Sequence, residues 1–257
     1  MPTYNANAIV LHRISFGETD RIVTLYTRER GKLSAIAKGS RKPISRLAGA
    51  TEVLTCGKFH LAIGKSLDII AQVEVKESFP RIRADLSRIA HAGYLAELVD
   101  RSVEEREPNV DIFEVLLSAL YLLERPNDPE KIARMFELQL MKLLGYEPVL
   151  DRCLRCGKQI ETRNRFFSPS LGGLVCRRCG ALPEDAVQVS GEAVEAMRNL
   201  LVAEAPEVER MEIPKPVMDQ IARVMRRHIR YRIERDLKSL DFLRTLRIGP
   251  SANADDT

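Results

Sequence analysis

The first 80 residues alternate between apolar and polar positions. Ala8-Ile9-Val10-Leu11-His12 and Arg21-Ile22-Val23-Thr24-Leu25-Tyr26-Thr27 are rich in β-branched residues and flank a turn-like Phe16-Gly17-Glu18-Thr19-Asp20, a pattern that predicts two strands. Gly31 breaks the chain before a third segment, in which Leu33, Ala35 and Ala37 share one face and Lys32, Ser34, Ile36 and Lys38 share the other. Phe59 to Ile63 predicts a fourth strand and Gly64-Lys65-Ser66 a hairpin turn. In the fifth strand Leu67, Ile69, Ala71, Val73 and Val75 fall on one face, with Asp68, Gln72 and Glu74 opposite. So small a set of strands must close or be covered to hide its edges, so a barrel or sandwich is expected.

After Pro80 the apolar period lengthens. Leu86, Ile89, Ala90, Leu95, Leu98, Val99 and Val103 recur at helical spacing. Asp111 with Glu114 reads as a capping box opening a helix from Val115 to Glu124. Asp128-Pro129-Glu130 places an N-cap before a proline at the first helical position. The helix it opens runs to about Gly145 and is apolar nearly all round (Ile132, Met135, Phe136, Leu140, Leu143, Leu144), which predicts a place at a domain centre. Ser190 opens another helix to about Ala203, and Pro214 and Pro216 precede a last one reaching roughly to Leu246. The expected organisation is a barrel over 1–80, a helical domain over 81–150 and 183–247, an inserted module over 151–182, and a flexible tail over 248–257.

The inserted module carries the sharpest motif. Cys153-Leu154-Arg155-Cys156-Gly157 is followed, after 19 intervening residues, by Cys176-Arg177-Arg178-Cys179-Gly180. Two CxxC pairs at this separation match a four-thiolate zinc site, each pair supplying one edge of a tetrahedron. Arg165-Phe166-Phe167-Ser168 and Leu174-Val175 bracket Gly172-Gly173 and predict a small hairpin. Four protein ligands leave no open position, so one structural Zn2+ is expected, standing in for a core that some 30 residues cannot build. Disulfide bonding and an iron–sulfur cluster are the alternatives that four cysteines permit.

Charge adds a second candidate. The chain has 257 residues and a net charge of +4, but residues 1–80 and 151–182 each carry +5 and residues 81–150 carry −4. No acid lies between Gly31 and Ala50, where Lys32, Lys38, Arg41, Lys42 and Arg46 run from a strand face into a small polar loop. A basic groove on a small barrel suits single-stranded nucleic acid. With eight Phe, six Tyr and no Trp, backbone contact is favoured over a stacking platform. The arginines of the cysteine module can contact phosphates or simply offset thiolate charge. Gly64-Lys65-Ser66 lacks the strand–loop–helix setting of a phosphate loop. The four histidines are scattered, and Cys56 reads as a buried strand residue. The last helix carries an arginine-rich face, which a core-packing helix exposes to solvent. No apolar run predicts a membrane span and no leader pattern is evident, so a soluble, cytoplasmic protein is expected, nucleoid-associated only if its partner is DNA.

These pieces together resemble one family, the bacterial recombination mediator RecO. The likeness is carried by Ala8-Ile9-Val10-Leu11, Gly17-Glu18-Thr19-Asp20 and Gly31-Lys32-Leu33, then by Arg134-Met135-Phe136-Glu137-Leu138-Gln139-Leu140 leading to Leu144-Gly145-Tyr146. Cys153-Leu154-Arg155-Cys156-Gly157, Phe167-Ser168 and Gly172-Gly173-Leu174-Val175-Cys176 complete it. The resemblance implies an α+β chain with an N-terminal OB-fold, an α-helical domain and a zinc module. It also implies binding of single- and double-stranded DNA, strand annealing, and loading of RecA onto DNA coated by single-strand-binding protein. RecR and the acidic tail of single-strand-binding protein are the implied partners. Arg134 and Lys142 are the candidates for the tail. No acid–base constellation stands out, so a non-enzymatic mediator is expected; the alternative is a nucleic-acid-processing enzyme or RNA-binding factor using barrel and ribbon as grips.

Overall fold

A computed structural model of the chain describes residues 2–160, 165–233, 237, 239, 240 and 243. Its strands β1 (Thr3–Phe16), β2 (Asp20–Thr27), β3 (Gly31–Ala37), β4 (Cys56–Ala62) and β5 (Asp68–Glu77) close a barrel in the order β1-β2-β3-β5-β4. Every pairing is antiparallel except the short β3–β5 contact, where Ala35 and Ile36 oppose Asp68 and Ile69. The crossover from β3 to β4 holds a short helix, α1 (Arg46–Ala50), capped by the Ser45 side chain accepting from the Leu47 amide. The result is the expected OB-like barrel. Its core is Ala6, Ala8, Val10, Val23, Leu25, Leu33, Ala35, Ala37, Phe59, Leu61 and Ile70.

Two bulges change which side chains face that core. In β1 the register passes from Val10↔Leu25 to His12↔Thr24, leaving Leu11 as the extra residue. A bulge inverts the alternation beyond it. Arg13 therefore pairs with core-facing Val23, while Ile14 and Phe16 turn outward. In β5 the register passes from Leu61↔Ile70 to His60↔Gln72 around Ala71. The face expected for β5 is corrected accordingly: Ile70 enters the core, and Ala71 and Val75 are exposed. Asp68, expected on the opposite, polar face, is buried, and accepts hydrogen bonds from the Tyr4 hydroxyl at 2.6 Å and the Gly64 amide at 3.2 Å.

The described residues divide into two compact units, one holding residues 2–125 with Leu237, Ser239, Leu240 and Leu243, the other residues 126–160 and 165–233. Helices α2 (Pro80–Ala84), α3 (Leu86–Ser102) and α4 (Val110–Glu124) thus go with the barrel instead of joining a single helical domain. The reason is packing. Helix α3 lies against β1, and the linker after it follows β3: the Arg106 amide donates to the Lys32 carbonyl at 2.8 Å and the Tyr26 hydroxyl to the Asn109 carbonyl at 3.1 Å. Gly31 has φ +68, and a Cβ there would run into the Glu107 carbonyl. Helix α4 opens earlier than expected because Asn109, not Asp111, caps it by accepting from the Ile112 amide at 3.1 Å.

In the second unit α5 (Pro129–Leu143) is capped by Asp128, as its sequence suggested, and packs against α6 (Gly191–Val202), α7 (Ala205–Arg210) and α8 (Lys215–Ile233). Helix α7 was not anticipated. The hairpin β6 (Arg165–Ser168) and β7 (Gly173–Cys176) is present, and β8 (Val187–Gln188) extends it to three strands. The tail expected over 248–257 lies outside the described residues. No helix among the described residues is long and apolar enough to cross a membrane.

Candidate metal centre and nucleic-acid interface

Cys153, Cys156, Cys176 and Cys179 converge so that their sulfurs all lie within 4.8 Å of one another. Both cysteine turns depend on the glycine that follows them. Gly157, at φ +70, lets its amide reach back to the Cys153 carbonyl at 2.8 Å, and Gly180, at φ +91, ends the 3-10 turn Arg177–Cys179. The separations Cys153–Cys179, Cys156–Cys176 and Cys176–Cys179 are 3.8, 3.9 and 3.4 Å. A tetrahedron with metal–sulfur bonds of about 2.3 Å has edges of about 3.8 Å. The cluster fits a four-thiolate cation site.

Its electrostatics point the same way. Burial opposes ionisation of Cys153, yet the amides of Cys156, Arg155 and Cys176 bring its thiol down to about 6. Cys179 is pushed up to about 12 by hydrogen bonds to the sulfurs of Cys176 and Cys156. Four neighbouring thiols cannot all ionise unless a cation sits among them. Several module arginines are tied locally: Arg155 bonds the Ala181 carbonyl, Arg165 donates to the Ile160 carbonyl at 3.2 Å, and Arg177 lies over the Phe166 ring at 5.6 Å.

The second site lies at one end of the barrel. The segment after β3 is fastened to the β1–β2 turn. The Arg41 amide donates to the Thr19 carbonyl at 2.8 Å, the Arg41 guanidinium to the Gly17 carbonyl at 3.0 Å, and the Gly39 amide to Asp20 Oδ1 at 2.8 Å. That amide, with the Thr19 hydroxyl and with Lys38 and Lys42 nearby, holds the Asp20 carboxyl below its ordinary value. Lys38, Arg41, Lys42 and Arg46 are all exposed. The loop is therefore an organised basic rim rather than a loose tether.

Sequence reasoning missed two members of this end. Arg13 forms an ion pair with Glu52, and Arg21 lies 3.6 Å from the same carboxylate while donating to the Ala48 carbonyl at 3.2 Å. Burial first, and then Arg13, lower the pKa of Arg21, so cations are crowded here. The bulge at Leu11, which has no side-chain signature, is what turns Arg13 toward the barrel end.

Two candidate residues do not reach a binding surface. Lys32 is 8% exposed, and its Nζ donates to the Asp100 carbonyl at 2.6 Å. It faces outward on β3 as expected, but the outer face there is covered by α3, so it is a packing residue. Arg134 is 4% exposed and pairs with Glu137 at 2.7 Å inside the second unit; a buried, paired guanidinium cannot receive an acidic peptide. Lys142, the other candidate for that role, is exposed.

Comparison with known proteins agrees with this architecture. Residues 1–79 match the family description "Recombination protein O N terminal" and residues 83–241 match "Recombination protein O C terminal". The protein named DNA repair protein RecO of Pelotomaculum thermopropionicum is 42% identical over 95% of this chain and 94% of its own. Its namesake in Symbiobacterium thermophilum is 39% identical over 96% and 99%, and that of Roseiflexus is 36% identical over 95% and 86%. With both halves matched in order and relatives aligned almost end to end, the chain belongs to the RecO family.

Proposed function

We propose that this chain is a non-enzymatic DNA repair and recombination mediator that holds DNA at the basic end of its barrel. The observation carrying this reading is the rim itself: Lys38, Arg41 and Lys42 are exposed on a loop that three hydrogen bonds fasten to the β1–β2 turn and the start of β2, and Arg46 is exposed at the start of α1 just beyond it. A fixed array of cations neutralises phosphates with less ordering cost than a mobile one. Strand annealing needs no covalent step: charge neutralisation lowers the repulsion between two strands and leaves their bases free to pair. The names of the relatives support a role in repair. RecR, the tail of single-strand-binding protein and delivery of RecA are the partners that family membership suggests for this chain.

Cys153, Cys156, Cys176 and Cys179 would hold one Zn2+, whose charge lets four thiolates share a site and whose closed shell gives it a structural role. The arginines beside it serve mainly to balance that charge. The test is charge removal at Arg41, Lys42 and Arg46, with binding of single-stranded and duplex oligonucleotides followed by fluorescence anisotropy across a salt series. Weaker binding on every sequence, with a shallower salt dependence and slower annealing, is the expected result. Unchanged affinity and unchanged slope would refute the placement.

A further inference from the structure

Resting on the zinc reading above, we propose that Cys156 is an oxidation site, at which an oxidant of the peroxide class attacks first, joins this sulfur to Cys176 and so opens the metal site. The four cysteines match in spacing but not in surroundings. Cys153 is 1% exposed and packs with Val175 and Cys176 at the centre of the module. Its sulfur also accepts the Cys176 amide at 3.4 Å, which occupies a lone pair that an electrophile would need. Cys176 is buried and Cys179 half-buried, whereas Cys156 is exposed.

The exposed sulfur opens onto a cleft of about 400 Å³, lined by Cys156, Cys176 and Cys179 together with Lys158 and Arg178. Cys153 takes no part in its wall. Lys158 and Arg178 are both exposed, so the cleft is wet and cationic. Accessible thiolates beside cations are the sulfurs that small oxidants find. A sulfur that ligates a metal is already a thiolate, so attack needs no prior loss of a proton. The fifth cysteine offers a contrast within the same chain. Cys56 is buried in β4, and burial pushes its thiol up to about 11. It should stay reduced.

The chemistry balances with hydrogen peroxide as the oxidant. The Cys156 thiolate attacks one peroxide oxygen; an S–O bond forms, the O–O bond breaks, and hydroxide leaves from a sulfenic acid. The Cys176 sulfur lies 3.9 Å away. Its thiolate attacks the sulfenic sulfur, forming an S–S bond as the S–O bond breaks and a second hydroxide departs. Two thiolates have given two electrons, and peroxide has taken both. Only Cys153 and Cys179 then remain as ligands, too few to hold a structural cation. The loop between β6 and β7 is tied to α8, since Arg232 donates to the Ser170 carbonyl at 3.2 Å. That tether keeps the cysteine turns near one another, so a thiol reductant can restore the site. The ribbon thus has a reduced, metal-holding form and an oxidised, metal-free form.

The experiment treats the full-length, zinc-loaded protein with hydrogen peroxide, first below one equivalent and then in excess. A chromogenic zinc indicator follows release, and differential alkylation with peptide mass spectrometry maps the oxidised sulfurs. Cys156 should be modified first, the first disulfide should join it to Cys176, and about one zinc should be freed per disulfide. Dithiothreitol with added zinc should reverse both changes. Cys156→His keeps a four-ligand shell, since three cysteines and a histidine also hold zinc, and should release the metal roughly tenfold more slowly. Cys179→His leaves both reacting sulfurs in place and should release it at about the wild-type rate, which separates a lost oxidation site from a merely weakened shell. If either variant fails to take up zinc, the wild-type map decides alone. Oxidation that begins at another of the four cysteines, a first disulfide without Cys156, or zinc retained through excess peroxide would overturn the proposal. Protein that carries no zinc before peroxide is added would instead refute the zinc reading, and the proposal with it.

Discussion

The barrel and the cysteine module answer the same problem, hiding a small core, by opposite means. The barrel buries eleven apolar side chains around a closed ladder of strands, including Phe59 and Leu61. The module's buried cluster is Cys153, Val175 and Cys176, with Ile160, Phe166 and Leu182 partly packed against it. The first is a hydrophobic assembly whose stability grows with the area it buries. Around its sulfurs the second has little such area, two of the three residues of that cluster being metal-ligand candidates, while Phe167 of its hairpin is buried against His228. One region should be indifferent to chelators and sensitive to cavities, and the other the reverse.

The largest expected effect tests the second half of that contrast. Replacing Cys156 and Cys179 by serine, or stripping metal with a strong chelator, should release about one equivalent of zinc and erase hydrogen-exchange protection in β6 and β7. Structural zinc supplies roughly 10–16 kcal/mol of apparent binding energy in small modules of this kind, and nothing else in the ribbon is of that size. Protection in β1 to β5 should stay as it was. Zinc-free, reduced protein with a fully protected ribbon would overturn the assignment. The converse experiment is Phe59→Ala. The side chain is wholly buried, so truncation should cost about 3–5 kcal/mol, lowering the barrel's protection without changing metal content.

How far these features were readable depends on their range along the chain. The cysteine turns were legible because ligand spacing and the glycine after each pair are local facts. The Asp128 cap and the alternation of β3 were legible for the same reason. The fate of Lys32 was not: its strand face was read correctly, but what covers it is Asp100, 68 residues further on. Arg134 has its partner Glu137 only three residues away, yet the burial of that pair comes from helices distant in sequence. The bulges at Leu11 and Ala71 are backbone events, and they alone decide that Arg13 turns toward the barrel end, that Ile14 and Phe16 face outward, and that Ile70 rather than Ile69 enters the core. The basic loop was legible as charge; its rigidity rests on the Thr19, Gly17 and Asp20 contacts, which no composition reveals.

A smaller effect separates the two regions by function. Neutralising Arg41, Lys42 and Arg46 removes three candidate phosphate contacts, so the log–log salt slope on single strands should fall by about 2, at about 0.7 per contact. Neutralising Arg165, Arg177 and Arg178 should change it less, because Arg165 and Arg177 are held by a carbonyl and a ring within the module. Titrations at three salt concentrations check both sets together. A larger loss from the ribbon set would reverse the proposed assignment of the DNA-holding end.

The smallest effect expected is a pH dependence confined to the second unit. His228 on α8 is wholly buried, its Nε2 lies 2.9 Å from the Tyr146 carbonyl, and its ring meets Phe167 edge-on at 5.6 Å. The carbonyl places the ring proton on Nε2, which leaves a neutral imidazole. Burial lowers its pKa below the ordinary value, outweighing the Tyr146 carbonyl, which raises it, while Arg232 lowers it further. The folded-state pKa thus lies below the unfolded one, so the unfolded chain binds more protons as the solution is acidified. The stability His228 lends is complete above about pH 6.5 and is lost as pH falls through the folded value. The barrel core holds no histidine. Between pH 7.5 and 5.5 in zinc-saturated buffer, the unfolding midpoint of the second unit should fall by a few degrees, since about 1 kcal/mol moves a chain of this size by roughly 2–4 °C. His228→Gln keeps a donor for the Tyr146 carbonyl but cannot titrate, so its midpoint should hold steady across the same interval. If the variant moves as far as the wild type while retaining its zinc, the acid sensitivity belongs to another group.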